Sequence, residues 1–99
     1  MAKLKRTHGF LLALRSVKRF YELRGVSEET LKTFFDRELF APIGLLADQP
    51  RMGRQSGHHP AYRELICASG DLLVLYTYRE DEDAVYLADI FGAKQNKTP

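Results

Sequence analysis

The sequence predicts an α+β fold: an N-terminal strand, a two-helix hairpin and then a three-stranded antiparallel meander. Two features of the pattern predict it, since apolar residues recur at helical spacing over residues 10–46 and in strand-like runs after Pro60. The length agrees, because 99 residues with 44% hydrophobic and 28% charged side chains suffice for a single small core. We therefore expect one domain over residues 1–99, with its core at 4–95 and a flexible tail at 92–99.

A short strand and a first helix are expected at the N-terminus. Lys3 to His8 predicts the strand, and helical spacing begins at Phe10. Gly25 should end the helix, because glycine readily adopts the left-handed conformation found just past helix C-termini. The side of this helix that faces the core is predicted to carry Phe10, Ala13, Leu14, Val17, Phe20 and Tyr21.

A second helix is expected to begin after Ser27. This serine is a good N-cap, and Glu28 and Glu29 follow it where the helix dipole favours negative charge. Pro42 has no amide hydrogen, which predicts a kink or a short break near Ala41. The buried stripe of this helix is predicted to comprise Leu31, Phe34, Phe35, Leu39, Ile43 and Leu46.

The second half of the chain predicts the sheet. Residues 48–60 are rich in glycine, proline and polar groups, and they form the longest predicted loop. Beyond this loop, short links separate three runs of aromatic and β-branched residues, which is typical of antiparallel hairpins. These runs are Tyr62 to Ala68, Leu72 to Arg79 and Ala84 to Phe91.

Simple features exclude several classes of protein. No apolar run approaches the ~20 residues of a membrane-spanning helix, and no small-residue cleavage site follows the basic N-terminus. The single cysteine, Cys67, cannot close an internal disulfide and is expected to be a small buried side chain. No spacing of cysteine and histidine resembles a zinc site. We therefore expect a cytoplasmic protein with no metal, no cofactor and no membrane anchor.

The net charge of +2 is the sum of blocks of opposite sign. Residues 1–24 carry seven basic side chains against one acidic side chain, whereas residues 64–91 carry one basic against seven acidic. Residues 51–63 add three arginines and no acid. Such asymmetry indicates that charged partners are selected by particular surfaces.

The second half contains, in order, Pro-Arg-Met-Gly-Arg, Tyr-Arg-Glu-Leu-Ile, Leu-Leu-Val-Leu-Tyr-Thr-Tyr and Ala-Val-Tyr-Leu-Ala-Asp-Ile-Phe-Gly-Ala. This succession resembles the RelE/ParE superfamily of toxins from bacterial type II toxin–antitoxin modules, and the resemblance covers residues 4–95. The Tyr-Arg-Glu-Leu strand and the terminal Phe-Gly-Ala-Lys-Gln are closer to the ParE (plasmid stabilisation) branch. This chain has Phe91 where that branch usually has histidine.

The resemblance implies three alternative functions. A ParE-like toxin inhibits growth by binding a macromolecular target, DNA gyrase, and is neutralised by a cognate antitoxin. A RelE-like toxin is instead an endoribonuclease that cleaves mRNA on the ribosome. A third alternative is a degenerate member of the fold that is not toxic and acts as a binding module. The resemblance implies an antitoxin partner in each active case, and leaves open a homodimer or a toxin–antitoxin hetero-oligomer.

Candidate residues for the ribonuclease alternative follow from its chemistry. A metal-free ribonuclease needs an acid, a base and cations that stabilise the phosphorane. The cations could be Arg54, Arg63 and Arg79, and the titrating groups could be His58 and His59. No tyrosine or histidine follows residue 91, so the C-terminal acid and base of the RelE branch are not visible. The sequence therefore favours binding over catalysis.

Each arginine also has a structural interpretation. Arg63 can pair with Asp89, Arg54 can anchor the turn through main-chain carbonyls, and Arg79 can form a surface ion pair with the acids that follow it. For the binding alternative, the residues expected to contact the target are Arg54, Arg63 and Lys94. An acidic antitoxin would be steered onto the first helix by its basic rim, formed by Arg15, Lys18 and Arg19.

Overall fold

The chain forms a five-stranded mixed sheet with its helices packed against one face, in a computed structural model that describes residues 1–57 and 59–92. The strands lie in the order β1-β5-β4-β3-β2; β1 runs parallel to β5, and the other neighbours are antiparallel. The predicted α+β class is confirmed. The elements are β1 (Lys3–Arg6), α1 (His8–Glu22), α2 (Glu28–Phe35), α3 (Ala41–Gly44), β2 (Arg54–Gln55), β3 (Arg63–Cys67), β4 (Leu72–Arg79) and β5 (Ala84–Gly92).

Side chains at the N-termini of α1 and α2 set where these two helices begin. Thr7 Oγ1 accepts from the Phe10 amide at 3.2 Å and donates to the Leu87 carbonyl at 2.8 Å. This cap ends the first strand at Arg6, so the predicted strand was two residues too long. Ser27 caps the second helix as predicted, with its Oγ 3.2 Å from the Thr30 amide.

The predicted kink in the second helix is a π-helical turn at Asp36–Phe40, just before Pro42. The Ala41 amide donates to the Asp36 carbonyl, five residues back. Because Pro42 has no amide hydrogen, the ordinary ladder is broken here, and the wider turn lets the chain continue in helical conformation. The stripe is buried as predicted except that Phe34 is half-buried; the buried members are Leu31, Phe35, Leu39, Ile43 and Leu46.

A fifth strand, β2, lies inside the predicted loop, so the expectation of four strands was wrong. Its two residues pair antiparallel with β3, placing Arg54 opposite Glu64 and Gln55 opposite Arg63. Two residues are too few to show an alternating pattern, and the surrounding glycines and prolines predict a loop. β2 therefore depends on its partner strand rather than on its own sequence.

The two faces of the sheet differ in cover. One face packs on the helices, and its side chains form one core with Phe10, Val17 and the buried stripe of the second helix. That face is lined by Leu65, Cys67, Leu72, Val74, Tyr76, Val85, Leu87 and Ile90. Strand alternation places the remaining side chains on the opposite face, which we call the open face. Its members include Glu64, Ile66, Leu73, Leu75, Thr77, Tyr86, Asp89 and Phe91.

None of the helices in residues 1–57 and 59–92 combines the length and the apolarity needed to cross a membrane.

Candidate target-binding surface

The segment 51–57 carries the Gly-Arg pair of the sequence motif and is held against the sheet by side chains of β3 and β4. On the helix-packed side, Arg63 Nη1 donates to the Gly53 carbonyl at 2.8 Å and to the Arg51 carbonyl at 3.4 Å. The Gly53 amide donates to Tyr76 Oη at 2.8 Å. Residue 53 is thus bonded through both its amide and its carbonyl.

Tyr76, which accepts this hydrogen bond, is fully buried. Burial raises the pKa of the phenol, while the Gly53 amide and the Arg63 guanidinium oppose the rise. The phenol is therefore protonated at neutral pH, and a lone pair of its oxygen accepts the Gly53 amide bond. Tyr76 is therefore a core residue whose hydroxyl also holds the 51–57 segment.

Gly53 is required here by close approach. A Cβ at this position would lie 2.7 Å from the Glu64 carbonyl oxygen and 2.7 Å from Tyr76 Oη. Real Cβ atoms are not found so close to other atoms, so any larger residue would push the segment away from β3 and β4. The glycine of the motif is therefore explained by packing.

On the open face, Glu64 holds the next residue of the segment. Its carboxylate accepts from Arg54 Nε at 3.0 Å and from Ser56 Oγ at 3.0 Å. Glu64 is 8% exposed and Ser56 is 3% exposed, whereas 62% of the Arg54 side chain remains accessible. A carboxylate with this little exposure needs such partners, and the result is an arginine fixed at one edge and accessible at the other.

A cavity of about 660 Å³ lies on the open face beside this arginine. Its apolar wall is formed by Leu73, Leu75 and Phe91. Its polar rim is formed by Arg54, Gln55, Ser56, His59 and Glu64. Such a mixture suits an apolar anchor flanked by a negatively charged or polar group.

The structure brings only some of the predicted site residues together. Arg54 and His59 line the same cavity. Arg63 lies on the other side of β3, and Arg79 lies at the end of β4 with its Nε 3.4 Å from Glu82 and 3.8 Å from Asp81. His58 and Lys94 lie outside the described residues.

Of the structural interpretations predicted for the three arginines, the structure confirms one and contradicts two. Arg79 forms the surface ion pair that the sequence predicts. The predicted carbonyl anchor is present, but Arg63 supplies it instead of Arg54, and the predicted pair between Arg63 and Asp89 is not formed in the described residues.

The first helix presents a second candidate surface. Its predicted antitoxin-contacting residues, Arg15, Lys18 and Arg19, are all exposed. A groove of about 260 Å³ lies between α1 and the second helix. Its floor is apolar, and its charged lining is Lys18 and Lys32 with Glu28 and Asp36; the apolar residues are Leu14, Leu31, Phe35 and Phe40. The ion pairs found within the described residues use Arg51, Arg54 and Arg79 as their cations, so this basic rim is not neutralised by them.

Sequence reasoning missed three exposed leucines beside this rim. Leu11 is 45% exposed, Leu12 is 49% exposed and Leu23 is 74% exposed. The signal was present, since all three lie outside the core-facing positions of the helical pattern. Together with the basic rim, they make α1 both apolar and positively charged on its solvent side.

Comparison with known families decides the class of this protein. The model of the ParE toxin of the type II toxin–antitoxin system parDE matches residues 5–97. This chain belongs to the ParE toxin family. It is therefore a toxin of the type II toxin–antitoxin class, and the predicted RelE/ParE resemblance is confirmed.

Solved structures show the same fold. The ParE-family chain matches a chain of the intact E. coli RelBE toxin–antitoxin complex with a TM-score of 0.59 and 14% identity, covering 94% of this chain and 98% of that one. It matches a metal-bound toxin from Helicobacter pylori with a TM-score of 0.58 and 18% identity, covering 98% of this chain and 100% of that one. No curated protein sequence matches this chain.

The metal of the Helicobacter pylori toxin has no evident counterpart among the described residues of the ParE-family chain. No group of three or more histidine, cysteine, aspartate or glutamate side chains is gathered there to hold an ion.

Proposed function

We propose that this ParE-family toxin inhibits growth by binding DNA gyrase in the cytoplasm and is neutralised by a cognate antitoxin, as part of a plasmid stabilisation module. The observation that carries the proposal is the state of the three candidate arginines within a confirmed ParE family match. All three are engaged by groups of the chain itself, which suits a preformed binding surface better than a ribonuclease site.

The chemistry of RNA cleavage makes this difference concrete. A phosphorane needs cations whose donors are aimed at the developing charge. Arg54 is neutralised by Glu64, Arg79 faces Asp81 and Glu82, and Arg63 donates to backbone carbonyls. For ribonuclease action Arg63 and Arg79 would have to exchange these contacts for phosphate contacts, and Arg54 would present a charge that Glu64 already offsets.

The open face supplies the proposed target contacts. The accessible edge of Arg54 and the apolar wall formed by Leu73, Leu75 and Phe91 adjoin the same cavity. An apolar anchor of the target would contribute most of the affinity, and the arginine would select the group beside it. Lys94 is proposed as a further contact from the C-terminal tail.

The first helix supplies the proposed antitoxin contacts. Its basic rim, formed by Arg15, Lys18 and Arg19, lies beside exposed leucines and an apolar groove. An acidic amphipathic segment would satisfy the charge and the apolar surface together. The toxin–antitoxin hetero-oligomer is therefore the proposed resting state.

Induced expression in bacteria tests the target. Gyrase inhibition predicts double-strand DNA breaks and an SOS response while protein synthesis continues, and the purified toxin should inhibit DNA supercoiling by gyrase. Co-expression of the adjacent antitoxin gene should restore growth. Rapid loss of protein synthesis with mRNA cleaved at codon boundaries would instead identify a ribonuclease. Normal growth on expression of folded toxin would identify a non-toxic binding module.

A further inference from the structure

We propose that Arg63 is a positioning residue, which holds residues 51–53 from the helix-packed side of the sheet and thereby presents Arg54 on the open face. This assigns Arg63 a role different from the direct target contact expected from the sequence. The inference deepens the proposed function and rests on it only where toxicity is measured, because the hold on the segment can be tested separately.

Strand alternation places Arg63 and Glu64 on opposite faces of the sheet, because the two residues are adjacent in β3. Register places them opposite Gln55 and Arg54 of β2. From one side Arg63 bonds to the Gly53 carbonyl, and from the other side Glu64 bonds to the Arg54 side chain. Arg63 and Glu64, which are adjacent in β3, therefore bond to Gly53 and Arg54, which are adjacent in the segment.

The backbone pairing of β2 with β3 keeps the segment in place only weakly by itself. β2 has two residues, and strands this short are not stable by themselves. Residue 53 is additionally hydrogen-bonded through its carbonyl to Arg63 Nη1 at 2.8 Å and through its amide to Tyr76 Oη at 2.8 Å. A hydrogen bond from a charged donor is stronger than one between neutral groups. Arg63 is therefore expected to contribute a large share of the hold.

The position of Arg54 depends on the backbone beside it. Glu64 is nearly buried and bonds Arg54 through Nε alone, at 3.0 Å, so 62% of the arginine side chain stays exposed. The position of its guanidinium consequently depends on where the backbone of residues 53 and 54 lies. That backbone is what Arg63 holds, so loss of Arg63 should misplace Arg54 without removing it.

The experiment is a double-mutant cycle on the full chain with Arg54→Ala, Arg63→Ala and the double variant. Arg79→Ala is the matched control, because this arginine ends a neighbouring strand and pairs with surface acids. The readouts are gyrase inhibition, the thermal midpoint, antitoxin affinity and the rate of trypsin cleavage after Arg51, with Arg54 also monitored where it is retained.

We expect Arg63→Ala to weaken gyrase inhibition about tenfold, the effect of losing one charge-assisted hydrogen bond. The double variant should be no weaker than Arg54→Ala alone, since Arg63 acts through Arg54. Trypsin should cut after Arg51 about tenfold faster in Arg63→Ala, because the segment opens more often. Arg63→Lys should recover part of both losses, and Arg79→Ala should change neither. Antitoxin affinity should be unaffected throughout.

Losses that multiply in the double variant would overturn the proposal and identify Arg63 as a direct target contact. An unchanged rate of trypsin cleavage in Arg63→Ala would show that Arg63 does not keep residues 51–53 in place, and would overturn the proposal. If Arg63→Ala does not fold, Tyr76→Phe removes the other bond to residue 53 and should loosen the same segment. A wild-type toxin that leaves gyrase active would overturn the proposed function, while the cleavage rates would still judge the hold.

Discussion

At the scale of single residues, one glycine shows how closely segment 51–57 is packed. Gly53→Ala would place a Cβ 2.7 Å from the Glu64 carbonyl oxygen and 2.7 Å from Tyr76 Oη. We expect the free energy of unfolding to fall by about 1–3 kcal/mol, the usual cost of overpacking. Urea unfolding measures it. Gly57→Ala is the matched control, because a Cβ there meets nothing within 4 Å, and an equal loss in both variants would contradict the packing argument.

Cys67 provides a second test at this scale. The thiol is 2% exposed, and burial, followed by the nearby Glu38, raises its pKa to about 11 from a usual value of 9.0. The folded protein should therefore react with iodoacetamide at pH 8 far more slowly than the urea-unfolded protein. The chain has one cysteine, so mass spectrometry reports this site alone. Equal rates in both states would show that the thiol is accessible.

The same shift has a consequence for alkaline stability. Because the folded-state pKa is raised, the folded protein holds the thiol proton more tightly than the unfolded chain. The contribution of Cys67 to stability is complete below pH 9.0 and is lost as the pH rises toward about 11. Urea midpoints measured across this range should fall for the wild type. Cys67→Ser should show a smaller fall, and an identical fall would assign the pH dependence to groups other than this thiol.

At the scale of elements, the two helix caps differ in what they hold. Thr7 caps α1 and also donates to the Leu87 carbonyl of β5, whereas the Ser27 cap of α2 is exposed. We expect Thr7→Ala to cost about 1–2 kcal/mol and Ser27→Ala about 0.5–1 kcal/mol. Chemical denaturation of both variants gives the comparison. A larger loss at Ser27 would mean that the bond to β5 contributes little.

The elements that could be predicted are those with a repeating pattern. The buried stripe of the second helix is predictable because its residues recur at helical spacing. The three long strands are predictable from their apolar runs. β2 has no such pattern and exists through its pairing with Arg63 and Glu64. The π-helical turn follows from Pro42, whose effect was predictable, although the extra residue in the turn was not.

The candidate site was predictable in residue type and not in arrangement. Arg54 and Arg63 were identified, but Arg54 is placed on the face opposite Arg63 by the register of β2, which the sequence pattern does not indicate. Arg63 donates to backbone carbonyls, and every residue has a carbonyl, so no sequence pattern could indicate this partner. Glu64 fixes Arg54 and Ser56 because its carboxylate is nearly buried and accepts a hydrogen bond from each of them. Neither the burial nor the two donors can be read from the sequence.

At the scale of the whole molecule, the unequal distribution of charge has structural counterparts. The basic block of residues 1–24 is divided between β1 and the exposed rim of α1, while the acids of residues 80–83 lie in the turn between β4 and β5. Arg79 at that turn is offset by Asp81 and Glu82. The described ion pairs thus leave the positive charge of α1 available to an approaching acidic partner.

This arrangement predicts salt-dependent association with the antitoxin. Replacing Arg15, Lys18 and Arg19 with glutamine should slow association about tenfold at low ionic strength, because long-range attraction accelerates encounter. The difference should nearly vanish at 1 M salt, where charges are screened within about 3 Å. Stopped-flow or surface-based kinetics measure the rates, with Arg79→Gln as the control of one removed but already offset charge. If neither salt nor the triple substitution changes the association rate, the rim of α1 is excluded as the approach path. This conclusion would hold even if the apolar groove still bound the antitoxin.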